Sequence, residues 1–336
     1  VKQKASYLLT YPPMFDVGVD KGNKKVASVL GGRFPKRCKQ LCVNAANAGD
    51  AWVHYWDEDG VFKYGIIKSQ QLRPIWSDDM EDELIGMVRA YKQLDTDNGQ
   101  WYIVYEVWND TECQAFRRLE SETLDTIVHY NMFYDVSGEP TDTYTHDFGK
   151  VPFIQFRNND ECMSDLTKTM KGLIDSYDKT YCGFVNDLED IQEIIFVLSG
   201  YEGEDKNGLL QDIKKYKTIL LDGDKDSNSG VQTLNIEIPV EARQKLLEIT
   251  RRAIFEQGQG MDPLQESFGT KSGEALKFMY CLLELKAGDT ETEFRSGFDE
   301  LIRAICEHEG IQCEDVIQTW TRNAIRNEKE QAEICN

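Results

Sequence analysis

Residues 163–198 read MSDLTKTMKGLIDSYDKTYCGFVNDLEDIQEIIFVL, and the period of this stretch decides the architecture. Met163, Met170, Tyr177, Phe184, Ile191 and Leu198 stand seven apart, and Leu166, Leu173, Leu188 and Ile195 fill intermediate positions. Apolar side chains at that spacing share one face of a helix. No proline interrupts the run, and Ser164 with Asp165 offers an N-cap. The spacing predicts one helix over 163–200, on the order of 54 Å long. An ordinary globular helix has about 10–14 residues. Such a stripe serves either as plain core or as an oligomer seam, and the extreme length adds weight to the seam.

Downstream, Gly200, Gly203 and Gly208 break the helix. A short helix is expected near 208–215. Segments 218–221 and 231–238 flank the polar loop 222–230 as a hairpin that Pro239 ends. A second helix is expected over 240–256, followed by a Gly/Pro/Gln-rich segment over 257–269. Ser272 then caps another long helix, 273–308, with Leu276, Met279, Leu283, Phe294, Phe298, Ile302 and Ile305 as apolar positions. A strand is expected over 316–322.

Upstream, strand signals dominate. Residues 51–56 and 61–67 flank the acidic turn Asp57-Glu58-Asp59-Gly60 and read as a β-hairpin. Further strands are expected at 101–108 and near 126–134, and helices at 35–49 and 79–92. The fold class that follows is α+β, with a mostly antiparallel sheet in the first half.

The chain has 336 residues, 59 Asp+Glu against 38 Lys+Arg, and a formal net charge of -21. That balance excludes a basic protein that coats nucleic acid, because phosphate binding needs Lys and Arg. It is compatible with a passage through which DNA slides without sticking. No run of about 18 apolar residues predicts a membrane-spanning helix. Nine cysteines without a CxxC pair read as free thiols rather than a zinc ribbon. The chain starts at Val1 without a signal-peptide pattern and ends at Asn336 just after a helix-like run, so it reads as trimmed.

Catalytic patterns are missing. Asp222–Gly230 resembles the start of a calcium loop, but Ser227 and Thr233 stand where an EF-hand needs Gly and Glu. Gly269-Thr270-Lys271-Ser272 lacks the glycine spacing of a phosphate-binding loop. His54, His129, His146 and His308 have no metal-ligand spacing. No catalytic residue, cofactor or metal is therefore expected. Two rival classes remain: a metal-dependent hydrolase or nuclease using the acidic cluster around Asp222, Asp224 and Asp226, and a helical adaptor or scaffold.

The order of parts resembles the portal proteins of tailed bacteriophages, the head-to-tail connectors. The runs that carry the resemblance are 151–161 (VPFIQFRNNDE) with Ser164-Asp165-Leu166, Leu173-Ile174-Asp175-Ser176-Tyr177, and Asn186-Asp187-Leu188-Glu189-Asp190. They continue with Phe268-Gly269-Thr270-Lys271-Ser272-Gly273-Glu274-Ala275-Leu276, then Leu283-Glu284-Leu285-Lys286-Ala287 and Thr321-Arg322-Asn323.

The resemblance implies a homo-oligomeric ring, usually of twelve subunits, around a channel for double-stranded DNA. It implies a wing over 1–162, stem helices over 163–200 and 240–256, a clip over 201–239, a tunnel loop over 257–272 and a spine helix over 273–308. Residues 309–336 would supply a wing strand and the start of a missing crown. Implied partners are the terminase motor, head-completion or adaptor proteins, and capsid and scaffold proteins, with no membrane. The place is the portal vertex of the virion, reached through the host cytoplasm during assembly. Gln259, Met261, Gln265 and Lys271 would belong to the channel loop, Arg251 and Arg252 would add basic stem positions, and Lys214, Lys215, Asp222 and Asp224 would meet partners at the clip. A ring of chains this acidic repels itself, so assembly is expected to depend on ionic strength.

Overall fold

The structure, a computed structural model, describes residues 1–80, 83–190, 195–199, 230–234, 239–262 and 273–322. The elements begin with α1 (Lys2–Leu9), β1 (Met14–Asp16), α2 (Asp20–Leu30), α3 (Phe34–Ala48), β2 (Asp50–Glu58) and β3 (Val61–Ile67). Next come β4 (Leu72–Trp76), β5 (Leu84–Leu94), β6 (Trp101–Trp108), β7 (Glu112–Leu119), β8 (Val128–His129), β9 (Phe133–Tyr134), β10 (Pro140–Thr141), β11 (Thr143–Thr145) and β12 (Phe153–Arg157). The described chain continues with α4 (Lys168–Asp190), β13 (Ile195–Ser199), β14 (Gly230–Leu234), α5 (Val240–Gln257), α6 (Gly273–His308) and β15 (Ile317–Thr319). Every described strand pairing is antiparallel. The class is α+β.

The chain divides into two units, Val1–Lys168 with Phe255–Asn336, and Thr169–Ile254. In the first, β12-β2-β3 form a three-stranded sheet that contributes to a core on each face. Alternation along β2 sends Ala51, Val53 and Tyr55 to one core and Trp52 to the other. On β12, Ile154 and Phe156 join the first core and Phe153 the second. The first core also takes residues of α1, α2, α3 and α6. The second gathers Leu72, Met87, Trp108 and Cys113 from β4–β7, strands of the six-stranded sheet. Gly297 lets α6 approach β12: a Cβ there would meet the Phe156 ring at 2.9 Å and the Gln155 carbonyl at 3.0 Å.

Several expectations hold. The hairpin spans Asp50–Glu58 and Val61–Ile67, and the helices expected at 35–49, 240–256 and 273–308 are α3, α5 and α6. The strand expected over 316–322 is β15, which pairs with β1.

Three expectations need correction. The helix expected at 79–92 is instead β5, whose mixed apolar and charged residues carry no clean period. Its backbone groups are paired with β4 on one side and β6 on the other. The strand expected at 126–134 is only β8 and β9, while the long strand that follows β6 and pairs with it is β7. There Cys113 and Ala115 point into the core between half-buried Glu112, Gln114 and Phe116.

The helix expected over 163–200 ends at Asp190, and Ile195–Ser199 is a strand paired with Gly230–Leu234. Ile195-Phe196-Val197-Leu198 is apolar and rich in β-branched and aromatic residues, and a seven-residue spacing does not separate such a run from the end of a helix. The 231–238 segment thus finds its described partner at 195–199. Its expected partner 218–221 and the helix expected near 208–215 lie outside the described residues.

Candidate functional site

The chain leaving α5 is tied down within a few residues. Gln259 adopts a left-handed conformation with φ 50°, and the Gly260 N–H donates to the Phe255 carbonyl at 2.9 Å. Both close the helix end. The Gln3 side chain on α1 then grips Met261 from both sides. Its Nε2 donates to the Met261 carbonyl at 3.0 Å, and its Oε1 accepts the Met261 N–H at 2.9 Å. Met261 itself is buried. One residue before the turn, the Gly258 carbonyl accepts from Lys286 Nζ on α6 at 3.1 Å.

Lys286 leads to a buried ionic cluster. Its Nζ stands 3.3 Å from Asp165 Oδ1, and Lys4 Nζ stands 3.0 Å from Asp165 Oδ2. Lys4 and Asp165 side chains are 2% and 7% exposed, and Lys286 is 16% exposed, so neither lysine charge is left to water. Lys4 also donates to Asn158 Oδ1 at 2.5 Å and to Thr290 Oγ1 at 3.1 Å. Asn158 Nδ2 donates to Asp165 Oδ1 at 3.0 Å and to the Met163 carbonyl at 2.8 Å. Thr290 Oγ1 donates to the Asn158 carbonyl at 2.9 Å. Burial alone would raise the Asp165 carboxyl, but the Lys4 and Lys286 charges and the Asn158 amide hold it below the usual carboxylate range.

Ser164 and Asp165 precede α4 rather than capping it. Ser164 Oγ accepts the Leu166 N–H at 3.0 Å and donates to the Asn47 carbonyl at 2.8 Å. The Asp165 N–H donates to the Ala46 carbonyl at 2.8 Å. The chain turns here under strict space limits. A Cβ on Gly49, whose φ is +99°, would lie 1.9 Å from the Cys162 carbonyl oxygen.

In the second unit, Arg243 of α5 pairs with Asp187 of α4 and stands over the Phe184 ring, 5.9 Å from its centroid. Leu173, Tyr177 and Phe184 are half-buried. A second apolar stripe on α4 is left open: Ile174, Tyr181 and Leu188 are 37%, 53% and 47% exposed, again seven apart. Leu246 and Ile249 on α5 are 46% and 56% exposed.

Of the residues singled out in the sequence, Gln259 is half-buried in the turn and Met261 is buried beside it. Arg251 is half-buried and Arg252 exposed near the end of α5. Gln265, Lys271, Lys214, Lys215, Asp222 and Asp224 lie outside the described residues. Sequence reasoning missed Lys4, Lys286, Asn158 and Thr290 as a group. Only the runs quoted for the resemblance held a hint, since Asn158, Asp165 and Lys286 all fall inside them.

His54, His129 and His308 are spoken for by packing and pairing, and His146 packs between Trp108 and Phe148. His54 is buried, stacks on Phe153 at 4.4 Å and is pushed down to about 4 by burial, so it is neutral at pH 7. His308 Nε2 meets Asp57 Oδ2 at 2.6 Å, and Asp142 takes His129 at 2.5 Å. A cavity of about 430 Å³ is lined by His54, Trp108, Phe133 and Tyr144. At its side Arg89 and Glu106 pair with each other at 3.1 Å. Among the described residues, no group of three or more His, Cys, Asp or Glu converges on a common point, and the eight cysteines are unbridged. No described helix is long and apolar enough to cross a membrane.

Comparison with known proteins supplies what geometry alone does not. The model of a family described as "Phage portal protein, SPP1 Gp6-like" matches residues 1–336. The portal protein of Clostridium phage phiCD119 is 42% identical over 351 residues, which cover 100% of this chain and 75% of that protein. The portal protein of Bacillus phage SPP1 is 28% identical over 345 residues, covering 98% of this chain and 66% of that protein. A match along the whole length, together with a relative this similar, places the chain in the SPP1 Gp6-like family of phage portal proteins.

Proposed function

We propose that this chain forms a ring around a DNA channel at the portal vertex of a phage capsid, where the genome is packaged by a terminase motor and later ejected. The observation that carries the ring is the open stripe Ile174, Tyr181 and Leu188 on α4. Apolar side chains repeated at seven on a helix, and left uncovered by the protomer, fit a neighbouring subunit. In this reading α4 and α5 are the stem, and the strands β13 and β14 belong to the clip. Residues 257–272 are the channel loop, and α6 is the spine that returns through the wing. Clip residues Lys214, Lys215, Asp222 and Asp224 meet the motor and the head-completion proteins. The protein contributes a conduit rather than a reaction.

An assembly test follows. Tyr181→Lys with Leu188→Lys is expected to cut the yield of rings about tenfold or more, since each lost burial removes about 1.5–3 kcal/mol per interface. The melting temperature of the remaining protomer should not change, because both side chains are open to solvent within it. Native mass spectrometry of the full-length protein reads the result. Rings at unchanged yield would sink the reading.

The acidic balance shapes the channel as well. An acidic wall avoids tight phosphate contacts, each of which would slow sliding, and a few cations guide the strand. Lys271 is the basic residue of the loop best suited to this. Lys271→Glu is expected to lower DNA packaging about tenfold while rings still form, measured as nuclease-protected DNA. Full packaging by intact Lys271→Glu rings would remove Lys271 from the mechanism.

A further inference from the structure

We propose that Lys286 is a positioning residue for the channel loop, joining the start of that loop to the chain that enters α4. The proposal rests on the reading of 257–272 as the channel loop. The Lys286 ammonium has three donors and meets two acceptors from distant parts of the chain, the Gly258 carbonyl at 3.1 Å and Asp165 Oδ1 at 3.3 Å. Gly258 directly follows α5, where the last carbonyls of a helix lack partners and carry the negative end of its dipole. A cation is favoured at that point. Its other partner, Asp165, stands three residues before α4 begins at Lys168. One ammonium on α6 therefore holds both the segment that leaves one long helix and the segment that starts the other.

Two further contacts make this a defined position rather than a loose charge pair. Gln3 holds the Met261 N–H and carbonyl together, so the backbone is fixed at Met261 as well as at Gly258. Thr290, one turn along α6 from Lys286, accepts from Lys4 and donates to the Asn158 carbonyl. Lys4 in turn holds the second oxygen of Asp165. Lys286 is not itself a member of the first core, which takes Leu283 and Ala287 from this stretch of α6. Lateral force on the loop is thus passed to α6 through a charge-assisted hydrogen bond, a kind about twice as strong as a neutral one, and on to Asp165 through an ion pair.

The test uses the full-length protein with Lys286→Met and Lys286→Arg. Hydrogen exchange at the Gln259, Gly260 and Met261 amides, the yield of rings and the amount of packaged DNA are measured together. In Lys286→Met, exchange at these amides is expected to rise about tenfold, the worth of one charge-assisted hydrogen bond. Exchange in Trp101–Trp108 and ring yield should stay unchanged, and packaging should fall about tenfold. Lys286→Arg, which keeps the charge and the donors, should move exchange and packaging back toward the native values.

Unchanged exchange at 259–261 overturns the proposal, as does an equal rise in Trp101–Trp108 or an arginine variant no better than methionine. Local deprotection with full packaging also overturns it, by removing the loop from the channel. Full packaging by Lys271→Glu rings would then fail the loop reading as well. A packaging defect in Lys271→Glu beside unchanged exchange in Lys286→Met would fail the positioning proposal alone.

Discussion

Asp165→Ala is expected to lower the unfolding free energy of the first unit by about 3–5 kcal/mol, the range for removing one partner of a buried ion pair. The carboxylate faces two lysines, and Lys4 is only 2% exposed. Without Asp165, Lys4 keeps only the Asn158 and Thr290 oxygens, and its charge is uncompensated. Asn158 also loses one of its two acceptors. The loss therefore exceeds that of a surface pair, worth about 0–1 kcal/mol.

The same contribution depends on pH with a definite sign. The folded carboxyl lies below the usual range, so the stability it supplies is complete above the unfolded value of about 3.9 and is lost as pH falls through the folded value. Urea titrations of the native protein and Asp165→Ala should differ widely at pH 7, and the gap should narrow only in strong acid. The double variant Lys4→Met with Asp165→Leu, which leaves no charge unpaired between these two positions, should recover most of the loss. A single Ala variant of native stability at pH 7 would overturn the account.

The long elements were legible because their signals repeat. α6 carries apolar residues over 36 positions, and its expected bounds coincide with those found, Gly273–His308. The hairpin around Asp57–Gly60 was legible because its turn chemistry and its alternating strands agree. β5 and β13 were misread for opposite reasons. β5 has no clean period, and its identity comes from neighbours on both sides. Ile195–Ser199 has apolar residues that fit two periods, and the partner at Gly230–Leu234 decides between them.

The ionic cluster was least legible. Asp165 read as a helix cap because it precedes a helical run, a local signal. Its real partners stand at positions 4, 158 and 286. No spacing rule connects those positions, since packing of α1 and α6 around the three-stranded sheet brings them together.

Phe298→Ala is expected to cost about 3–5 kcal/mol, the range for truncating a fully buried aromatic side chain. Phe298 is 0% exposed, and its ring has five aromatic neighbours. Phe156 lies at 4.9 Å, Phe15 at 5.6 Å, Phe34 at 5.8 Å, Trp320 at 5.9 Å and Phe294 at 6.1 Å between centroids. These belong to β12, to β1, to α3, to the segment after β15 and to α6 itself, so one cavity loosens five parts of the unit. Collapse to fill it is resisted next door, where Gly297 already sits against the Phe156 ring and the Gln155 carbonyl. Phe298→Leu keeps most of the volume and should cost less. Lys286 stands twelve residues earlier on the same helix, on the order of 18 Å away. Because the core around Phe298 fixes the register of α6 on β12, Phe298→Ala should raise hydrogen exchange at 259–261 together with exchange along Trp101–Trp108. That pattern separates it from Lys286→Met, whose effect should stay at 259–261. Denaturant unfolding combined with exchange measures both, and a Phe298→Ala variant within about 1 kcal/mol of the native protein would show that this aromatic group does not hold the helix in place.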